Sequence, residues 1–198
     1  LITLYHLIFV VKIKNNMRIC IIGDGLSSLT LAKALVNLNI KVDVFFKKKI
    51  LAINPYRTIG ISKSNVEFFN NHIINIDKFL WKLKKIDIFT DNLANQKLLN
   101  FENGNEELFS IVKNFKLHQF LNKSLSKNKN FTKIYSKKNL INNEKYSLII
   151  NTDYSNSITK KYFSKKIIKE YNSFAYTTII NHDKVQNDVA IQIFTKNG

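Results

Sequence analysis

The sequence predicts an α/β fold that begins with a parallel strand–helix–strand unit and continues with an interleaved, mostly antiparallel sheet. Three observations support this prediction. Residues 18–22 and 41–46 are short apolar runs, typical of buried parallel strands. Between them, apolar residues recur at helical spacing from Leu26 to Leu38. Later in the chain, short apolar runs alternate with polar turns, which indicates antiparallel strands.

The turn between the first strand and the helix, residues 23–28, reads GDGLSS. Gly23 permits a tight turn, and Gly25 has no Cβ, so a pyrophosphate can approach the backbone closely. The amide groups and the dipole of the helix start also favour an anion there. Ser28 stands where a third glycine usually lets helix and strand pack closely. In this context the turn predicts a nucleotide site in a Rossmann-like unit, the alternative being a turn that needs glycine for its geometry alone.

The end of the second strand departs from the usual dinucleotide pattern. An acidic residue about 20 positions after the glycines normally holds a ribose hydroxyl. Here the strand ends in Phe46 and Lys47. The lysines at 47–49 could instead receive a 2′-phosphate, so an NAD(P)-binding reductase built on the same unit is an alternative.

The chain is strongly basic, with a formal charge of +17 over 198 residues. This charge leaves a third alternative, a non-enzymatic protein that binds anionic lipid or nucleic acid. Arg18 and Arg57 are the only arginines, although arginine suits phosphate and base contacts best. We therefore expect no nucleic-acid partner, and a drifted lysine-rich composition explains most of the charge.

Metal and disulfide chemistry have little support in the sequence. Four histidines are scattered without ligand spacing, so we expect no metal site. The single cysteine, Cys20, lies in the first strand and is predicted to be a small buried hydrophobe. Residues 1–16 precede the only methionine, Met17, and we expect them to be a leader upstream of the true start.

The remaining elements follow from periodicity and turn signals. A short helix is predicted from Ser64, as its N-cap, to Asn71, with Glu67 completing a capping box. A second helix is predicted from Asn114 to Lys127. Strands are predicted over residues 85–90, 97–101, 131–135, 146–150, 174–180 and 189–194.

With these segments identified, the chain from Met17 to Gly198 resembles the N-terminal half of a class A flavoprotein monooxygenase of the ubiquinone-biosynthesis hydroxylase type. The glycine turn corresponds to the FAD fingerprint. Residues 57–62, RTIGIS, resemble the segment whose arginine approaches the flavin diphosphate. Asn114 resembles the polar residue at the start of the helix that faces the ribityl chain. Residues 148–153, LIINTD, resemble the strand that leads into the family's Asp-Gly motif.

The resemblance implies FAD as cofactor, NAD(P)H and O2 as co-substrates, and a phenolic quinone precursor as substrate. It also implies a cytoplasmic protein, with peripheral contact to the inner membrane or to a multi-enzyme complex. It assigns residues 17–80 and 105–165 to an FAD-binding domain, and residues 81–104 and 166–198 to part of a substrate-domain sheet. Because the flavin performs the redox chemistry, the resemblance nominates no catalytic acid or base. The candidate cofactor-binding residues are Gly23, Gly25, Leu26, Ser28, Phe46, Lys47, Arg57, Asn114 and Asp153.

The chain also departs from the family pattern. Phe46 replaces the ribose-binding acid, and Tyr154 replaces the glycine of the Asp-Gly motif. Ser155 stands where the family has arginine, and we expect the chain to end before the family's second flavin motif, a later Gly-Asp pair that precedes a helix. We therefore expect a truncated or degenerate chain that alone binds FAD weakly and is inactive.

Overall fold

The computed structural model of the chain describes residues 17–46, 54–91, 96–135, 145–162, 167, 169–176, 178–180, 183 and 187–196. The expected leader, residues 1–16, lies outside them. The strands are β1 (Arg18–Ile22), β2 (Lys41–Phe46), β3 (Thr58–Ser62), β4 (Trp81–Leu83), β5 (Lys85–Thr90), β6 (Lys97–Glu102), β7 (Phe109–Lys113), β8 (Phe131–Tyr135), β9 (Leu148–Asn151) and β10 (Val189–Phe194). The α-helices are α1 (Leu26–Asn37), α2 (Lys63–Phe68), α3 (Asn114–Leu125) and α4 (Ser157–Tyr162).

The chain divides into two compact units. The first contains the described residues within 1–51 and 122–168, and the second those within 52–121 and 169–198. The division falls inside α3. The assignment of particular ranges to a cofactor domain and a substrate sheet stays a prediction.

The first unit is built on a parallel sheet of four strands in the order β8-β2-β1-β9. The two central strands, β1 and β2, carry the apolar runs seen in the sequence and are almost wholly buried. Helix α1 connects them and buries Leu29, Ala32 and Val36. The predicted strand–helix–strand unit and the parallel direction of its strands are confirmed.

The end of α1 shows how the chain returns to the sheet. Asn39 adopts a left-handed conformation with φ 60°, which asparagine tolerates better than most residues. The Ile40 amide then donates to the Leu35 carbonyl oxygen at 3.1 Å. This closure satisfies a carbonyl at the helix end and directs the chain into β2.

The order of the strands creates a topological switch point in this sheet. The chain passes outward from β1 through β2 to β8, and then returns to the other side of β1 with β9. The direction of strand addition therefore reverses between β1 and β9. In open parallel sheets, ligands bind outside the carboxyl ends of the strands at such a switch point.

The second unit contains two sheets of three strands. One has the order β3-β7-β4 with antiparallel pairing, and the other has the order β10-β5-β6. Strands β5 and β6 pair antiparallel, as predicted. Strand β10 was expected in an antiparallel sheet but runs parallel to β5, with Val189 opposite Lys85. The Asp188 carbonyl accepts from the Lys84 amide at 2.7 Å and sets this register.

Two further local predictions are wrong. The range 174–180 was predicted as a strand, but its described residues carry no regular secondary structure, and Phe174 is 87% exposed. Alternation alone does not supply the neighbouring strand that a ladder requires. The N-cap of α2 is Ser62 instead of Ser64, because the Ser62 hydroxyl accepts from the Asn65 amide at 3.3 Å.

Candidate functional site

Gly23 makes the turn that leaves β1. Its φ is +120°, a conformation that side chains rarely tolerate. A Cβ at this position would lie 2.4 Å from the Thr152 Oγ1 atom and 3.1 Å from the Ser28 Oγ atom. Its amide donates to the Phe45 carbonyl oxygen at 3.1 Å. The fold therefore requires glycine here for both conformation and space.

Ser28 occupies the third fingerprint position, and the structure shows how a residue larger than glycine fits. Its side chain is fully buried, and its Oγ atom lies 2.6 Å from the Thr152 Oγ1 atom. Thr152 donates its own hydroxyl proton to the Ile22 carbonyl oxygen at 2.9 Å. Ser28 is therefore the donor to Thr152, and this hydrogen bond joins α1 to the segment after β9. At this position a hydrogen bond between side chains takes the place of the close backbone contact that glycine allows.

Gly25 differs from Gly23 because nothing in the described part of the chain requires it to be glycine. Its φ of −77° and ψ of 179° are extended values that any residue adopts. A Cβ built at Gly25 meets no atom of the described residues within 4 Å. The residue is the N-cap of α1 and supplies no side-chain cap, and the first turn has no acidic residue. Gly25 is exposed, and this N-cap residue has no side chain that could cap the first amides of the 12-residue helix that begins at Leu26.

Asp153 lies directly beside the glycine turn, since its amide nitrogen is 3.5 Å from the position of a Gly23 Cβ. Its Oδ1 atom accepts from the Ser155 amide at 3.0 Å and from the Ser155 hydroxyl at 2.7 Å. The carboxylate thus organises the turn that follows β9. The structure places Asp153 beside the glycine turn and shows a turn-forming role for its side chain, while its contact with a cofactor stays a prediction.

The end of β2 is aromatic. Phe46 is buried, and its ring centroid lies 5.6 Å from that of Tyr135, at an interplanar angle of 50°. The Lys133 ammonium lies 5.6 Å from the Phe46 centroid. Burial lowers the pKa of Lys133. Lys47 lies outside the described residues.

Arg57 and Asn114 come together within the second unit. Arg57 precedes β3 and Asn114 follows β7, and the antiparallel pairing of these strands places both residues at one end of the sheet. The Asn114 amide donates to the Arg57 carbonyl oxygen at 3.0 Å. The Arg57 side chain is exposed.

Sequence reasoning missed a buried polar cluster around Asp43, in the middle of β2. Asp43 is 1% exposed and accepts from the Arg18 guanidinium at 3.1 Å, the Lys145 ammonium at 2.9 Å and the Tyr146 hydroxyl at 2.9 Å. Burial pushes the pKa of Asp43 upward, but the donated hydrogen bonds outweigh burial and the net pKa is lowered. An acidic residue inside an apolar strand was the one available signal for this cluster.

Cys20 lies opposite Asp43 in the sheet register. The thiol is buried, as predicted. Burial, assisted by the Asp43 charge, raises its pKa to about 12.

Two negative findings apply to the described part of the chain. It contains no group of three or more His, Cys, Asp and Glu residues that could hold a metal ion. None of its helices has the length and apolar character needed to cross a membrane.

The parallel sheet, its switch point and the glycine turn define a Rossmann-like α/β unit, and with the antiparallel sheets they match part of the FAD-dependent monooxygenase fold. The tetrameric form of 2-methyl-3-hydroxypyridine-5-carboxylic acid oxygenase is similar at TM-score 0.51 and 15% identity, covering 62% of this chain and 32% of that one. PqsL from P. aeruginosa, in complex with 2-aminobenzoylacetate, is similar at TM-score 0.51 and 13% identity, with 61% and 34% covered. p-Nitrophenol 4-monooxygenase PnpA from Pseudomonas putida DLL-E4 gives TM-score 0.50 and 11% identity, with 60% and 32% covered.

The chain thus spans about a third of the length of these structures. No protein-family model matches its sequence, and no curated protein matches it. At these identities the likeness shows a shared fold.

Proposed function

We propose that the chain binds the diphosphate of FAD at the start of α1, as part of an aromatic-ring hydroxylase. The main support for this proposal is the backbone conformation of Gly25 and the open space beside it. Its backbone does not need glycine and its missing side chain leaves open space. A ligand that must reach the backbone amides of α1 explains the glycine, because any side chain would stand in its path.

Backbone amides at the start of α1 support a diphosphate at the switch point, where the Asp24 and Asp153 side chains contribute no positive charge. The first amides of α1, from Leu26 onward, would donate to its oxygens, and the uncapped positive end of the helix would favour its charge. Ser28 would hold the turn through Thr152. Bound FAD would supply the redox chemistry, taking electrons from NAD(P)H and reacting with O2 to oxygenate an electron-rich ring.

Arg57 and Asn114 are proposed as further cofactor contacts. The Arg57 guanidinium is permanently charged and suits a phosphate. The Asn114 amide group can both donate to and accept from ribityl hydroxyls. Their shared position at one end of the β3-β7-β4 sheet supports a joint role.

The substrate class is a further part of the proposal. The resemblance of the sequence to ubiquinone-biosynthesis hydroxylases supports a phenolic quinone precursor as substrate. It also supports peripheral contact with a membrane or a multi-enzyme complex in the cytoplasm.

Two substitutions of Gly25 test the diphosphate site. Gly25→Ala and Gly25→Ser should both fold, since a Cβ meets nothing within 4 Å among the residues that the structure describes. The serine variant should gain an N-cap, while alanine costs at most about 1 kcal/mol of stability. We expect both to weaken FAD binding by about tenfold or more, measured by flavin fluorescence quenching, as a lost charge-assisted contact predicts.

Gly104→Ala is the matched control. Gly104 has φ +56° and open space around it, so the variant should lose some stability and keep its affinity for FAD. The proposal fails if wild-type protein does not bind FAD. It also fails if Gly25→Ser binds FAD as tightly as wild type.

An NAD(P)-dependent reductase is a second candidate, favoured by one observation. Lys133 lies beside Phe46, where a ribose-binding acid would exclude a 2′-phosphate. Tighter binding of NADPH than of FAD, lost in Lys133→Ala, would favour this reading.

A further inference from the structure

The carboxyl edge of the parallel sheet offers a second feature besides the glycine turn. Because all four strands run in the same direction, their last residues meet at that edge. These are Tyr135 of β8, Phe46 of β2, Ile22 of β1 and Asn151 of β9. The glycine turn is tied to this edge through the hydrogen bond from Gly23 to the Phe45 carbonyl.

Tyr135 presents an aromatic surface at this edge. It pairs with Phe46 in the strand register, and the two rings are in tilted contact. Phe46 is 5% exposed, whereas Tyr135 is 45% exposed. The tyrosine ring is therefore supported from one side by a buried phenylalanine and partly accessible to solvent.

The same edge has no carboxylate from β2 that could hold a ribose. The acidic residue in β2, Asp43, lies three positions before Phe46. It is buried and bonded to Arg18, Lys145 and Tyr146. A dinucleotide held at the glycine turn must therefore be fixed by other means at its adenosine end.

We propose that Tyr135, supported by Phe46, is the platform on which the adenine ring of the bound dinucleotide stacks, in place of a ribose-binding carboxylate. β8 lies two strands from β1, roughly 10 Å at ordinary strand spacing. An adenosine that extends from a diphosphate at the glycine turn and crosses β2 arrives beside Tyr135. The inference rests on the proposed diphosphate site and adds the residue that would select the base.

ADP and UDP are the probes, because they share a diphosphate and a ribose and differ in the size of the stacking surface. Dissociation constants are measured by calorimetry for wild type, Tyr135→Phe and Tyr135→Ala. We expect wild type and Tyr135→Phe to prefer ADP. Tyr135→Ala should bind ADP about tenfold more weakly, as loss of one stacked aromatic ring predicts. The ratio of the two constants should then fall towards one, which partial unfolding alone would not cause.

A third ligand tests the role of the ribose. 2′-Deoxy-ADP should bind wild type within about twofold of ADP, because no carboxylate from β2 is available to receive the 2′-hydroxyl. Tyr162→Ala removes another exposed tyrosine, at the end of α4, and should change none of these constants.

The outcomes separate this inference from the proposed function. If ADP and FAD bind wild type and Tyr135→Ala equally well, the stacking platform is wrong and the diphosphate site stands. A large loss with 2′-deoxy-ADP would also overturn the platform, since it shows recognition through the ribose hydroxyl. If neither ADP nor FAD binds wild type, both proposals fail.

Discussion

Asp43 shows how one carboxylate can organise several neighbours inside a sheet. Its side chain is almost completely buried, but three donors reach it from β1 and from the segment before β9. Arg18 and Lys145 keep part of their own side chains in solvent. Both cations therefore stay partly hydrated, and this limits the cost of desolvating the cluster around Asp43.

Asp43→Asn is predicted to destabilise the fold. The amide keeps the shape of the side chain but loses the charge that strengthens each of the three hydrogen bonds. A loss of about 2 kcal/mol in the free energy of unfolding is expected, the scale of a hydrogen bond to a charged group. Urea unfolding measures it, and Asp188→Asn, at an exposed ion pair, is the control with little expected effect.

The pH dependence of stability provides a second measurement of this cluster. Because the net pKa of Asp43 lies below its ordinary value, about 3.9, its contribution is present above about pH 4. That contribution is lost as the pH falls through the folded-state pKa. The difference in the free energy of unfolding between wild type and Asp43→Asn should therefore shrink as the pH falls below about 4. A constant difference down to pH 2 would contradict this assignment.

Cys20 is predicted to be chemically inert in the folded chain. The thiol is fully buried and its pKa is raised to about 12, so almost no thiolate exists at neutral pH. A thiol-reactive disulfide reagent should label it slowly at pH 8 and rapidly in urea. Rapid labelling of the native chain would show that β1 opens easily.

At the scale of elements, Thr152 packs against Gly23 and bonds to the Ile22 carbonyl oxygen, which joins the turn after β1 to the end of β9. Gly23→Ala should destabilise the fold by about 2–4 kcal/mol, because it combines an unfavourable φ with a clash. Thr152→Ala removes the Oγ1 atom that lies 2.4 Å from the added Cβ. The double variant should therefore be less destabilised than the sum of the two single variants.

Thermal unfolding of the four proteins in this cycle measures the coupling. Simple additivity would mean that the clash with Thr152 is relieved by a shift of the turn. The strain of φ +120° alone would then account for the cost of Gly23→Ala.

The elements that the sequence predicted correctly are those whose signal is local. Residues 18–46 carry their own strands, helix and turn within 29 positions, and the structure has all of them. Strands β3 and β7 were missed because they pair with each other across 55 positions, Thr58 opposite Lys113, and a five-residue segment gives no local sign of so distant a neighbour. The false strand at 174–180 is the converse, a local pattern without a partner among the described residues.

The candidate site shows the same contrast between features with a local signal and features that depend on distant pairing. The geometry of the glycine turn could be predicted because its residues are adjacent along the chain. Asp153 was nominated only through the resemblance, since it lies beside the turn because β9 pairs with β1. The contact between Phe46 and Tyr135 could not, because it depends on β8 lying beside β2. The bond between Ser28 and Thr152 joins residues 124 positions apart.

At the scale of the whole molecule, the formal charge of +17 complicates any binding experiment with an anion. A chain this basic attracts polyanions without any built site. FAD carries only two phosphate charges, whereas DNA presents a continuous line of them. The dependence of affinity on salt therefore distinguishes a built site from general attraction.

Between 50 and 300 mM salt, affinity for a DNA duplex should fall steeply, with a log–log slope of about −0.9 for each phosphate neutralised. Affinity for FAD should change by a few fold at most, because amide donors and stacking contacts are screened little by salt. Fluorescence titrations of both ligands in the same buffers provide the comparison. If FAD affinity falls as steeply as DNA affinity, the diphosphate is held by surface lysines in general. The exposed backbone at Gly25 would then not be a specific binding site for the diphosphate.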